Sequence, residues 1–424
     1  MSTPVRTDAP ASGSMTSFPD SSSTNRSKPY IGKGAHEIPT RYDSRVLDVC
    51  GELVCTTGTY TRAWNVLDGE LVMSLAMGEG ARGSSVIFKP GANVDEEAQR
   101  VWIGNNFGEL LEADIPTQSI ISTRPNAHGR HEIVKIYRHF NELWTLDESG
   151  TLHVWGPDET GVPSMASGPT QSFRVPKGHV FSIVVGDELW HATGKEIRVF
   201  LPTLDGRAQF QVLIRPLIQD SAAEVTSGTL LTSQPDKVFF GHSDGKISIY
   251  SVKDYTCLGV VNISGYKINS LAGVGRYLWA GYNTGRICVY DMGQTPWAVK
   301  KDWQAHDNPV VKIIADAASL YRLDRYQIVS LGADNMLRTW DGLLQEDWLS
   351  CEMKSKDTTY CSLEKLKALV LTWNAGASTP NSLRYSDGDA SFFQDLLQSS
   401  DSPDILVFGF QELVDLEDKT ATAS

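Results

Sequence analysis

The feature that most constrains this chain is an internal repeat. Between about residues 44 and 350, a short apolar run, a tight polar turn and an alternating strand recur. The turn-plus-strand pieces read TYTRAW, GELLEA, GTLHVW, KEIRVF, GKISIY, GRICVY and NMLRTW, ending at Trp64, Ala113, Trp155, Phe200, Tyr250, Tyr290 and Trp340. These endings lie about 40 to 50 residues apart, the spacing of four-stranded propeller blades whose third strand closes on a bulky side chain. SDGK (243–246), NTGR (283–286) and DESG (147–150) supply the positive-φ residues that tight hairpins require. Upstream runs such as RVWIG, KVFFG and QIVSLG read as second strands. The apolar run VVKII (310–314) reads as an inner strand lining a central channel. Seven such units predict a closed ring, which removes exposed sheet edges.

The stretch from QAHDNPVVKII to NMLRTWDG resembles a WD repeat, with His306 and the Trp340–Asp341 pair in place. The other units are degenerate versions of it. Ahead of the ring, residues 1 to about 35 are dominated by Ser, Thr and Pro and nearly lack large aliphatics. Such a segment buries too little to offset its ordering entropy, so a disordered tail over residues 1–40 is expected. It has the composition of a phosphorylation tail or of a plain disordered end. The propeller is expected over residues 41–350 and a linker over 351–366.

Loops and rim of such a ring usually bind protein partners, but fold alone does not give function. The nine histidines are scattered among the units, and the shared loop of His128 and His131 shows no Cys or acidic partner at metal spacing. Structural roles are expected for them. The six cysteines form no CxxC pair and no signal peptide precedes them, so reduced thiols in a cytoplasmic chain are expected. The net charge of −13 disfavours broad nucleic-acid binding and polybasic membrane attachment. No apolar run is long enough to span a bilayer.

After about residue 350 the repeat stops. KALVLTW (367–373) reads as a strand that ends at Asn374-Ala375-Gly376, followed by a polar loop containing Pro380. In DASFFQDLLQSS, Phe392, Phe393, Leu396 and Leu397 share one helical face, with Ser391 and Gln394 in capping-box spacing. DILVFGF (404–410) is apolar on both faces, as a central parallel strand is. The pattern is β-α-β. A right-handed crossover puts Asn374 and Glu412 at the carboxyl edge of one parallel sheet, where open α/β sheets place ligands. A carboxylate beside an amide there suits a hard cation such as magnesium.

LTWNAG followed, after one helix, by PDILVFGFQELVDL resembles the opening of the inositol polyphosphate 5-phosphatase catalytic domain, in the endonuclease/exonuclease/phosphatase superfamily. The resemblance covers about residues 365–424 and implies the first β-α-β unit of an α/β phosphatase sandwich over 367–424. It implies that Glu412 binds a catalytic magnesium ion and that Asn374 supports the metal and phosphate site. The implied substrate is a phosphoinositide or soluble inositol polyphosphate, with room for peripheral membrane contact. A WD-like propeller ahead of such a domain is similar to a known fungal and plant arrangement.

The family's later Gly-Asp-x-Asn, Pro-x-Trp-x-Asp-Arg and Ser-Asp-His-x-Pro blocks are absent from these residues, and no histidine follows His306. The sequence is therefore expected to be a C-terminally truncated form that does not turn over by itself. Two alternatives stay open: a propeller scaffold with a vestigial phosphatase tail, and a nuclease, which the acidic balance disfavours.

Overall fold

The computed structural model describes residues 18–32, 34–41, 44–202, 209–378 and 386–415. Two compact units divide at Trp348 and Leu349. The first is a seven-bladed β-propeller, with its seven antiparallel sheets following one another along the chain. Blade 1 begins at the inner strand Val46–Cys50, blade 2 at Gly83–Phe88, blade 3 at Ile133–His139, blade 4 at Phe181–Val185, blade 5 at Val225–Leu230, blade 6 at Ile268–Val274 and blade 7 at Val310–Asp316. Each of the seven strand endings expected from the repeat lies on a third strand, and each is buried.

Local chemistry explains the repetition. In the hairpin turn of blade 6, Gly285 has φ +81°, and a Cβ there would sit 2.2 Å from the His306 carbonyl oxygen. The glycine closing the second strand serves a different need. A Cβ on Gly281 would meet the Val310 side chain of blade 7 at 2.6 Å, so the glycine lets neighbouring blades approach.

The inner strands of blades 2, 3, 5, 6 and 7 all carry a register shift one residue past their start. Such bulges re-aim a side chain. Ser84 Oγ donates to the Ile133 carbonyl (2.8 Å), Thr226 Oγ1 to Ile268, and Asn269 Nδ2 to Val310 (2.8 Å). In each case the bulged residue of one blade binds the inner strand of the next.

The expected disorder does not extend to residue 40. Glu37–Pro39 pairs antiparallel with Met336–Asp341 and forms the outer strand of blade 7. Ile38, only 2% exposed, packs among Leu47, Val49, Val54 and Trp64 of blade 1 and Val329, Leu331 and Leu337 of blade 7. Burial of this one isoleucine at the seam outweighs the polar composition around it. Farther upstream, Asp20 and Asn25 bridge in parallel to the outer strand of blade 6. Residues 1–17 of the expected tail lie outside the described residues.

Blade 4 has three strands, and its outer edge is met by bridges from Gln211 and Leu217. The expected linker is partly helical, in Gln345–Ser355 and a short turn at Asp357–Thr359. Asp341 starts that helix, its carboxylate accepting from the Gln345 amide (2.7 Å). Among the described residues, no helix is long and apolar enough to cross a membrane.

Ile38→Ala removes the seam side chain and is expected to lower unfolding stability by about 2–4 kcal/mol in urea titration. A loss below about 0.5 kcal/mol would mean that blade 7 closes without this contact.

Candidate functional site

In the second unit, Ala368–Asn374 and Ile405–Gln411 form a parallel pair with the helix Phe392–Ser399 between them in sequence. The register runs from Ala368 opposite Ile405 to Asn374 opposite Gln411. Lys367 and Asp404 pin the entry end, where the Lys367 amide donates to the Asp404 carboxylate (2.8 Å). Phe393 of the helix meets Phe408 edge-on with ring centroids 5.9 Å apart. The expected capping box does not form, because the Ser391 hydroxyl donates instead to Asp395 one turn on (2.9 Å). Part of the polar loop, including Pro380, lies outside the described residues.

The exit end brings the two sequence-derived site residues to one edge. Beyond the strands, the Ala375 amide donates to the Gln411 carbonyl (2.8 Å) and the Ala377 amide to the Glu412 carbonyl (2.7 Å). Asn374 Oδ1 accepts from the Gly376 amide (2.9 Å), closing an Asx-type turn that fixes its side chain. Glu412 has φ +51°, an unusual conformation for a residue with a side chain. Gln411 does not point at this edge, since its Nε2 donates to Thr372 Oγ1 (2.9 Å) across the pair. Both Asn374 and Glu412 are exposed. The donor set is one carboxylate and one amide oxygen already holding one hydrogen bond. That chemistry fits a hard cation that keeps most of its own water. Among the described residues, no group of three or more His, Cys, Asp or Glu side chains gathers at metal-binding distance.

Two of the propeller histidines, His306 and His128, sit in hydrogen-bonded relays. In blade 7, Trp340 Nε1 donates to Ser330 Oγ (2.8 Å), which meets His306 Nε2 (2.8 Å), while His306 Nδ1 faces Asp334 (3.0 Å). Blade 3 repeats the relay with Trp155, Thr145, His128 and Asp147 at 2.9, 2.6 and 2.8 Å. The sequence concealed this second copy. Threonine takes the serine position, and His128 lies 19 residues before its aspartate whereas His306 lies 28 before its own. Blade 7 spends the extra length on the helical turn Ser319–Arg322.

No protein-family profile matches the chain. The fold and edge geometry define a propeller protein that carries a parallel β-α-β unit after the ring. It is similar to a protein of Schizosaccharomyces pombe (strain 972 / ATCC 24843) named probable inositol polyphosphate 5-phosphatase, with 34% identity over 415 residues. The match covers 96% of this chain, and so includes both units, but 34% of the relative. The chain thus spans about a third of the length of the curated relative it matches. Among solved structures, a chain of the mitotic checkpoint complex matches in fold with a TM-score of 0.57 at 14% identity, over 80% of this chain and 98% of the other.

Burial pushes His153 and His306 down to about 4 and His179 to about 3, and lowers His191 and His242 as well. An imidazole held neutral in the fold but titrating near 6.5 when unfolded takes its proton only in the unfolded chain. Stability is then lost as pH falls from about 6.5 to about 4. Burial raises Asp48 to about 6 and also raises Asp316, which acts in the opposite sense below pH 6 because the fold protonates first. Five imidazoles outweigh two carboxyls, so the urea midpoint is expected to drop across this window. A flat or rising midpoint would contradict the assignment of these histidines as buried and neutral.

Proposed function

We propose that this chain supplies the propeller and the first metal-binding edge of a magnesium-dependent phosphatase that removes a phosphate from an inositol ring. One observation carries this reading: Asn374 and Glu412 share the exit edge of a parallel strand pair, in a chain similar over both its units to a named 5-phosphatase. Glu412 would hold the metal through its carboxylate, and Asn374 would steady the metal and phosphate through its amide. Magnesium, when bound, polarises phosphoryl oxygens and stabilises a leaving alkoxide. Residues 1–424 supply these two donors but no histidine after His306, so turnover needs further groups.

The substrate is a phosphoinositide or a soluble inositol polyphosphate. The former would bring the protein to a membrane surface only peripherally. The propeller serves as a platform for protein partners. The six cysteines, all free, support a cytoplasmic setting. A scaffold whose tail does no chemistry is the second reading. It is favoured by the exposure of both donors and of Val370, Val407 and Phe410 on the strand pair.

The test compares the purified 424-residue chain with native protein captured through an antibody to the propeller. The chain alone is expected to release no phosphate from 5-phosphorylated inositides. The captured protein is expected to run well above 46.6 kDa and to release phosphate only with magnesium. Introducing Glu412→Gln into that protein should lower kcat at least about 100-fold, the loss expected when a group stabilising transition-state charge goes. Captured protein with no phosphatase activity, or an unaffected Glu412→Gln variant, would leave the scaffold reading standing.

A further inference from the structure

The axial channel of the propeller holds charged groups that neither the ring architecture nor the tail chemistry uses. They sit at one position of the repeat, the residue after the inner-strand bulge. Blades 2, 5 and 6 place Ser85, Ser227 and Ser270 there, each opposite a glycine of the second strand. Blades 3 and 7 place Lys135 and Lys312 there, each opposite a leucine.

These two lysines reach the axis. Lys312, from blade 7, has its Nζ 5.9 Å from the ring centre of Phe181, which lies on the inner strand of blade 4. Blades 4 and 7 stand three apart in the ring, so the contact spans the channel. Lys312 also senses the charges of Lys135 on blade 3 and Asp48 on blade 1. Neither blade 7 nor blade 1 adjoins blade 3, so Lys135 can meet Lys312 and Asp48 only around the axis.

Among the described residues, no hydrogen bond or ion pair within contact distance reaches Lys135 or Lys312. Of the other polar side chains at this level, Ser84, Thr226 and Asn269 bind neighbouring inner strands and Asp48 accepts from the Phe88 amide (2.7 Å), while the buried Ser227 Oγ has no hydrogen-bond partner among the described residues. With both lysines charged, the trio carries one uncompensated positive charge even when Asp48 is ionised. Both lysines are half-buried along the channel wall, and an unpaired ammonium drawn partly out of water favours a counter-charge. Burial lowers Lys312 to about 7 and lowers Lys135, as expected where the chain itself supplies no adequate counter-ion.

We propose that Lys135 and Lys312 form an axial anion site that takes a compact phosphate-class oxyanion. The oxyanion is either free phosphate or the phosphomonoester of a small inositol phosphate. This site is separate from the Asn374–Glu412 edge; the oxyanion class follows from the lysines, and only the choice of an inositol phosphate as its carrier rests on the phosphatase reading.

The test is thermal unfolding of the whole 424-residue chain at constant ionic strength, in chloride alone, with inorganic phosphate, and with inositol trisphosphate. Titration calorimetry reports stoichiometry. Binding to the fold alone raises the melting temperature, here by at least about 2 °C near saturation, with one anion per chain. Lys135→Met/Lys312→Met should abolish the shift. If the double variant does not fold, Lys312→Gln alone should weaken binding at least about tenfold by calorimetry. Saturation by phosphate identifies the free ion as a sufficient ligand, and saturation by the inositol phosphate alone identifies the phosphomonoester. No shift with either anion, or equal shifts in wild-type and variant, would overturn the proposal.

Discussion

The pairing of Glu37–Pro39 with Met336–Asp341 holds the ring together. Arg338 and Glu37, 301 positions apart, meet at 3.0 Å, and Ile38 closes the apolar seam between the first and last blades. Around that seam, Gln327 Nε2 donates to the Gly51 carbonyl and the Gly51 amide donates to Asp316 (2.9 Å), so blades 1 and 7 share polar as well as apolar contacts. Bringing such distant segments together costs loop-closure entropy that rises slowly with length. Each blade is a sheet with two sides to cover, and a ring left open would expose the flanking sides of its end blades. The strand contributed by the chain's beginning is therefore part of every blade's stability.

Within the closed ring, rigidity comes from buried polar groups that are satisfied. The Trp–Ser–His–Asp relay of blade 7 and the Trp–Thr–His–Asp relay of blade 3 tie the third strand to the second and to the loop entering the blade. A buried imidazole without such partners would lose stability, so these histidines serve the fold. The bulged inner-strand residues act between blades in the same way. Together they leave the channel-facing lysines as the charged groups at the axis that the architecture does not use.

The second unit is organised by its parallel pair. Hydrogen bonds carry on past both strand ends, from Ala375 to Gln411 and from Ala377 to Glu412, so Asn374 and Glu412 are set by backbone pairing. That gives a defined edge with few donors. Among the described residues, that edge presents one carboxylate and one amide. The strands' side chains, including Val370 at 66% and Val407 at 47% exposure, remain open.

The sequence by itself determined what depends on local periodicity. The seven third strands, the turn glycines, and the β-α-β order with Asn374 and Glu412 at matching strand ends were all legible, because alternation, positive-φ turns and strand ends are encoded within a few residues. The role of Ile38 was not legible, because its partners Trp64 and Leu337 are distant in sequence and its neighbours are polar. The His128 relay was hidden by a threonine substitution and a shorter loop. The convergence of Asp48, Lys135 and Lys312 was invisible because three inner strands, each unremarkable alone, meet only when the ring closes. Only the tertiary structure decided these, since each joins side chains distant in sequence: across the seam of blades 7 and 1, across the loop entering blade 3, and around the axis.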